Sequence, residues 1–549
     1  MEIRNGPGRP MMNEHRSHRP AVMGTRGMVA TAHPLASAAG LEMFWRGGNA
    51  VDAAVAAAAA LNVVEPFMSG IGGDGMLLLF LGRSRERKVL NFMGRTPYTA
   101  RPEACTEADL QKGPKSCLVP GNFAGWWEAL RSYGRLKPDV VFAPAIRHAE
   151  EGFPLTHRGA GFFAEHRARL TPAAASVFCP DGEVPRPGTV LTHKALARTL
   201  RRLAAEGPDP LYQGDIGRCV CDAVQEAGGW LTPEDIATFR VEWIDPVVST
   251  FRGDEVVSVP PPAAGTQVLE TLNILEGFDL KALGHNSAEA LHLIIEAVKL
   301  AMADRVAYQA LPDPPAAGLV SKRYAAAQRA RIDRARAAIS GGERFFSEGL
   351  PGEVTPGDPY GYGREHTTHF SVVDAERNAA SITQTLGSPF GSGFFAGDTG
   401  ILLNNLLMWN DRDLRSPNVL APHRKVETRM APTQVFRNGR VLVAIGTPGS
   451  YGIPQTTTQM LLNILEYGMN IQAAIEAPRV RVYRDKTVDV EARVAAEVRA
   501  ALTARGHVIR ELAEWSWVVG GGQGVFVDPV TGAMAGGADP RRDGYAMGW

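Results

Sequence analysis

Two adjacent threonines, Thr367 and Thr368, stand where a run rich in glycine, proline and charge, "SEGLPGEVTPGDPYGYGREH", meets an alternating segment, "HFSVVD". A polar connector of that length ahead of a strand suits a site of chain cleavage. If the bond between His366 and Thr367 is cut, Thr367 gains an α-amine with a reference pKa of about 7.7–8.0. Such an amine takes the proton of its own hydroxyl, directly or through a water, so one residue supplies nucleophile and base. The same hydroxyl, attacking the His366 carbonyl, makes the cut. Threonine is also a good strand former, so the pair gains meaning only from what surrounds it.

Pairing 367–373 with 379–386 across "DAERN" sets Val373 against Ala379, Ser371 against Ser381, His369 against Thr383 and Thr367 against Thr385. One face then carries hydroxyls and an imidazole, while Phe370 with Ile382 and Val372 with Ala380 form a core face. Opposed residues have Cβ atoms about 5 Å apart, which brings the two threonine hydroxyls together. A one-residue slip would undo the arrangement. Thr368 points the other way and reads as structural. Acyl transfer also needs donors for a developing oxyanion. A buried strand over 441–445, the turn Gly446-Thr447-Pro448-Gly449-Ser450 and a helix beginning near Pro454 supply backbone N–H groups of that kind.

Around these residues the periodicity predicts two helices over about 34–65, joined at Gly47-Gly48-Asn49 and ended by Pro66. A glycine turn, "GIGGDG", leads into an apolar strand. Helical spacing dominates from about 120 to 340, and strands dominate after 367: "HFSVVD", "AASITQTL", "TGILLNN" and "TQVFRNGRVLVAIG". "GIGGDG" fits the dinucleotide fingerprint literally, but it follows a helix and precedes a strand, the reverse of what that site needs. His366 and His369, three apart on a strand, face opposite ways and cannot share an ion. No other metal, P-loop or serine-elbow motif is present.

The chain has 549 residues, 45% hydrophobic and 21% charged, with 58 basic residues against 58 acidic ones. That balance gives no field to attract nucleic acid or an anionic membrane. Five cysteines without paired spacing read as reduced thiols, including Cys219 and Cys221 of "CVC". The N-terminal twenty residues lack the apolar core of a secretory signal, and the longest apolar run, broken by Asp52, Asn62 and Glu65, is too short to span a bilayer. A cytoplasmic location is the expectation, with residues 1–25 as a flexible tail.

The stretches "GGNAVDAAVA", "VVEPFMSGIGGDG", "VPGNFAGW", "GHNSAEALHLIIEAVKLAMADR", "TTHFSVVD", "SGFFAGDTGILLNN", "RMAPT", "GTPGS" and "EAPRV" resemble the γ-glutamyltransferase family of N-terminal nucleophile hydrolases along nearly the whole chain. The resemblance implies a four-layer αββα sandwich and self-cleavage before Thr367. It implies a heterodimer of a large subunit (26–366 after the tail) and a small subunit (367–549), acting on small-molecule amide or γ-glutamyl bonds without metal or cofactor. By position it makes Thr367 the nucleophile, Thr385 the support of its hydroxyl, and Gly449 and Ser450 the oxyanion donors.

Departures fall where the family reads its substrate. "FMG" at 92–94 replaces "FRE", leaving Arg95 as the nearest arginine. "LLMW" replaces a Gln-Met-Asp-Asp whose last acid grips the substrate α-amine, so Trp409 stands there and Asp411 lies just beyond. Thr428-Arg429 replaces a serine pair, Ser450 a second glycine, and Gly387 an asparagine. Arg95 and Arg429 still suit a carboxylate-bearing acyl group. The expected function is a threonine amidohydrolase on γ-glutamyl or related amides, passing the acyl group to water or an amine. The alternatives are an acylase for acyl groups without an α-amine, and an unprocessed member kept as a binding scaffold.

Overall fold

Two seven-stranded antiparallel sheets form the centre of the computed structural model, which describes residues 17–179, 182–338, 366–483 and 486–549. In spatial order one sheet holds Tyr545–Gly548, Gly27–Thr31, His366–Asp374, Ala379–Gly387, Asp74–Phe80, Arg87–Asn91 and Glu242–Ile244. The other holds Val22–Gly24, Met534–Ala538, Gln523–Val527, Arg440–Gly446, Thr433–Arg437, Asp254–Ser258 and Val247–Phe251. Strand alternation sends every second side chain inward. Met28, Met76, Leu78 and Phe80 of the first sheet therefore meet Phe436, Val441, Val525 and Val527 of the second.

Each outer face is covered by helices, which completes the four-layer αββα sandwich. Helix α1 (Pro34–Trp45) and helix α2 (Ala50–Val64) pack on Phe370, Val372 and Ile382. Helix α2 starts at a capping box: Asn49 Oδ1 accepts from the N–H of Val51 (2.9 Å) and Asp52 (3.2 Å), and Asp52 Oδ2 accepts from Asn49 N–H (2.8 Å). All its residues are buried, and the alanine run lets it lie close between its neighbours and the sheet. Gly265–Leu275, Ala288–Tyr308 and Ile453–Leu465 cover the second sheet through Val256, Val435, Val443 and Ile445.

The hairpin register agrees with the expected one from Val373↔Ala379 back to His369↔Thr383. "TGILLNN" differs: the structure gives it only the isolated bridges Phe395↔Leu402 and Gly72↔Leu403. Its amides are used instead on turns, as where Asn404 N–H donates to Gly72 O (3.1 Å) and Asn405 N–H to Leu386 O (2.9 Å). Part of the stretch expected as a tail, 1–25, is instead tied into the fold. Val22 pairs with Gly536, Arg19 N–H donates to Glu476 Oε1 (3.1 Å), and the Arg19 guanidinium donates to Gly544 O (2.6 Å). Residues 1–16 and the connector over 339–365 lie outside the described residues.

Candidate active site

The two threonines meet at a bulge. Register runs Thr368↔Gln384 and then His366↔Gly387, so the partner strand carries one extra residue beside Thr367. Thr367 and Thr385 are both buried, with Thr367 Oγ1 donating to Thr385 Oγ1 at 3.3 Å. The same Thr385 oxygen accepts the Gly387 N–H at 2.8 Å. Gly387 has φ +99°, and a Cβ there would lie 2.3 Å from Asn405 Oδ1, an atom already accepting from Ser388 N–H at 2.8 Å. An asparagine at 387 has no room in this arrangement. The glycines of "GIGGDG" serve close approach too: a Cβ on Gly73 would lie 2.3 Å from Thr385 O, and one on Gly72 2.2 Å from Leu402 O.

His369 ties the hairpin to the facing sheet. Its ring packs on Gly446, where a Cβ would sit 2.4 Å from His369 Cε1. Nδ1 lies 2.9 Å from Thr383 Oγ1 and Nε2 lies 3.0 Å from Ser371 Oγ. Burial lowers its pKa to about 3, so the imidazole is neutral and its two nitrogens are engaged. Gly446 ends the strand that runs into the 447–452 turn. There Gly449 has φ +133° and Ser450 φ +57°, both in the left-handed half of backbone space. Thr447 holds the turn, donating its hydroxyl to Pro448 O (2.7 Å) and accepting from Gly521 N–H (2.9 Å). A 3₁₀ turn over Ser450–Gly452 leads into Ile453–Leu465, one residue before the helix start expected at Pro454.

The side chains expected to read the substrate divide between two networks. Arg429 is buried, its guanidinium carbon 4.9 Å from the Trp409 ring centroid and 4.3 Å from that of Tyr451. It donates to Glu427 O (3.1 Å) and to the Tyr451 hydroxyl. Arg305, also buried, pairs with the Glu427 carboxylate and lies 4.9 Å from the Tyr451 ring. Two guanidinium groups thus share one carboxylate beside the residue that follows Ser450. Trp409 is 4% exposed and its indole N–H has no hydrogen-bond partner among the described residues. Thr428 is buried at this corner, its N–H donating to Pro262 O (2.8 Å).

Arg95 belongs to the other network. It donates to Glu242 Oε1 (3.1 Å) and to His423 O (3.4 Å), and Lys425 bonds the same Glu242 carboxylate. Asp411 accepts from the Ser416 hydroxyl inside a local turn with Asn418 and Val419. Neither joins the Trp409–Arg429–Tyr451 group in any contact among the described residues. Tyr451, Arg305 and Glu427 were absent from the sequence-based set. Tyr451 directly follows "GTPGS", a signal that pointed at it, whereas nothing local marks Arg305. His292, Glu296 and His507 bring ligand-type atoms within 4.8 Å of one another, yet Lys299 Nζ donates to Glu296 Oε1 (2.8 Å) and so supplies the positive charge there.

Two antiparallel sheets between helical layers, with a buried hydroxyl pair at the start of a central strand, have the architecture of the N-terminal nucleophile class of hydrolase fold. Residues 36–549 match the family model described as gamma-glutamyltranspeptidase, and the chain belongs to that family. It is 35% identical to the acylase ACY 1 proenzyme of Pseudomonas sp. (strain SE83), over 97% of this chain and 96% of that one. It is 32% identical to the glutathione hydrolase proenzyme of Bacillus subtilis (strain 168), over 96% and 92%. The crystal structure of a cephalosporin acylase from Bacillus halodurans superposes with a TM-score of 0.87 at 32% identity, covering 98% of this chain and 99% of that one.

Proposed function

We propose that this protein is a self-processing amidohydrolase whose nucleophile is Thr367, acting on amides with a carboxylate-bearing acyl group. The observation that carries the proposal is the 3.3 Å contact between Thr367 Oγ1 and Thr385 Oγ1 at the bulge. In the precursor, the Thr367 hydroxyl attacks the His366 carbonyl; the C–N bond breaks and frees the Thr367 amine as the ester forms, and water then hydrolyses that ester to the His366 carboxylate and the free Thr367 hydroxyl. That amine then takes the hydroxyl proton as the oxygen attacks a substrate amide. The N–H groups of Gly449 and Ser450 receive the oxyanion. The leaving amine carries the proton away, and water hydrolyses the acyl-enzyme. A large subunit ending at His366 and a small subunit of 367–549 remain together as a heterodimer.

For the acyl group, Trp409 and Arg429 support one lacking an α-amine. An ammonium needs an acceptor, whereas among the described residues this corner presents an indole N–H and two guanidinium groups beside the Glu427 carboxylate. A glutaryl-type acyl chain fits that polarity. The second reading, γ-glutamyl hydrolysis, draws support from the relative in Bacillus subtilis. Turnover of a glutaryl anilide beside its γ-glutamyl counterpart decides between them, and a strong preference for γ-glutamyl would remove the acylase reading. Thr367→Ala should stay as one full-length band on denaturing electrophoresis, while the wild-type protein yields a small chain that begins at Thr367.

A further inference from the structure

Thr368 lies on the far side of the strand from the site, yet it is fully buried and its hydroxyl donates to Glu65 Oε2 at 3.0 Å. Glu65, 4% exposed, closes helix α2 with its N–H on Leu61 O (2.9 Å). The turn that follows reaches the other strand of the hairpin. Leu386 N–H donates to Met68 O and Phe390 N–H to Phe67 O, both at 3.1 Å. One turn, 65–68, therefore grips both strands at the end that carries Thr367 and Thr385. Cleavage at 366/367 would remove His366, and with it the His366↔Gly387 pairing, from that end. A strand end without ties frays. Beside the Thr368↔Gln384 pairing, the described side-chain contacts left at that end include Thr385 on Thr367 and Glu65 on Thr368.

We propose that Glu65 is a positioning residue for the nucleophile: through Thr368 it fixes the first two residues of the cleaved strand and sets the charge behind the Thr367 amine. The proposal rests on Thr367 being the nucleophile. Burial raises the Glu65 pKa to about 7, against the pull of Arg542 and the Thr368 hydroxyl and with a small push from Asp543. Arg542 is itself buried, donates to Met68 Sδ (3.3 Å) and is opposed by Arg158. Glu65 therefore changes charge close to the range in which an N-terminal amine titrates. Its carboxylate favours the ammonium form of Thr367, so it raises the amine's pKa.

The test uses the full, processed enzyme with a chromogenic glutaryl or γ-glutamyl anilide. Glu65→Gln keeps an acceptor for Thr368 and removes the charge. Its acid limb in kcat/KM should move to lower pH by roughly half a unit or more. Thr368→Val should lower kcat by about tenfold with KM nearly unchanged, and Thr368→Ser should restore it. A Glu65→Gln profile that overlays the wild type, or a Thr368→Ser as slow as Thr368→Val, overturns the positioning role. Turnover by Thr367→Ala would remove the nucleophile assignment itself, an outcome distinct from normal Glu65→Gln kinetics beside an inactive Thr367→Ala.

Discussion

Thr385 serves two partners with one oxygen: it accepts the Gly387 N–H and receives the Thr367 hydroxyl. The residue-scale consequence is that loss of this oxygen should act on stability and chemistry together. Thr385→Val keeps the shape and the β-branch but leaves a buried N–H without its acceptor, a loss of about 1–3 kcal/mol. It also frees Thr367 to leave its rotamer. The expected outcome is a lower denaturant midpoint and a kcat reduced by about 10–100-fold, whereas Thr385→Ser stays within a few-fold of wild type. Equal losses in both variants would show that packing, not the hydroxyl, matters at 385. Charge at the Arg429 corner follows similar logic, since each guanidinium there stacks on Tyr451 and both reach the Glu427 carboxylate.

At the scale of elements, the decisive piece is the strand-to-helix turn that follows Gly446. Its aim is set from two sides, by His369 resting on Gly446 and by Thr447 bonded to Gly521. Gly449 at φ +133° and ψ +24° occupies backbone space that a side chain rarely enters. Gly449→Ala should therefore rotate the peptide that carries the proposed oxyanion donors. The expected loss is about 100-fold in kcat with little change in KM, because an oxyanion donor acts chiefly in the transition state. A raised KM at constant kcat would instead place the turn in substrate binding. The hairpin itself was legible from alternation alone: hydroxyls at 367, 371, 381, 383 and 385 and the imidazole at 369 share one face, and only one register puts them together. The bulge at Thr385–Gly387 was not, because an extra residue leaves no mark on polarity.

At the scale of the whole molecule, the layers could be anticipated from the order of helical and strand-like segments, but the corner around Arg429 could not. Arg305 reaches Glu427 across 122 residues of sequence, and a distance of that kind has no periodic signature. The partner of Arg95 had no sequence signal for a related reason: an arginine's partner is chosen by the fold, and here Glu242 pairs with it. The same long-range weaving bears on what cleavage does. In one sheet, Gly27–Thr31 and Asp74–Phe80 flank the hairpin of 366–387; in the other, Asp254–Ser258 pairs with Thr433–Arg437, and Val22–Gly24 with Met534–Ala538. Neither part thus owns a complete sheet, and each would leave the central strands of a sheet without partners if it folded alone. Cutting one peptide bond at 366/367 removes none of these ladders beyond the terminal pair. The two chains of the processed protein should therefore elute together in size-exclusion chromatography and part only at denaturant concentrations that unfold both, in a single transition. Residues 367–549 produced alone should be insoluble or unfolded by circular dichroism, and co-expression with 1–366 should rescue them. A small chain that folds by itself, or that dissociates in native buffer, would show that the shared sheets contribute far less than this interleaving requires.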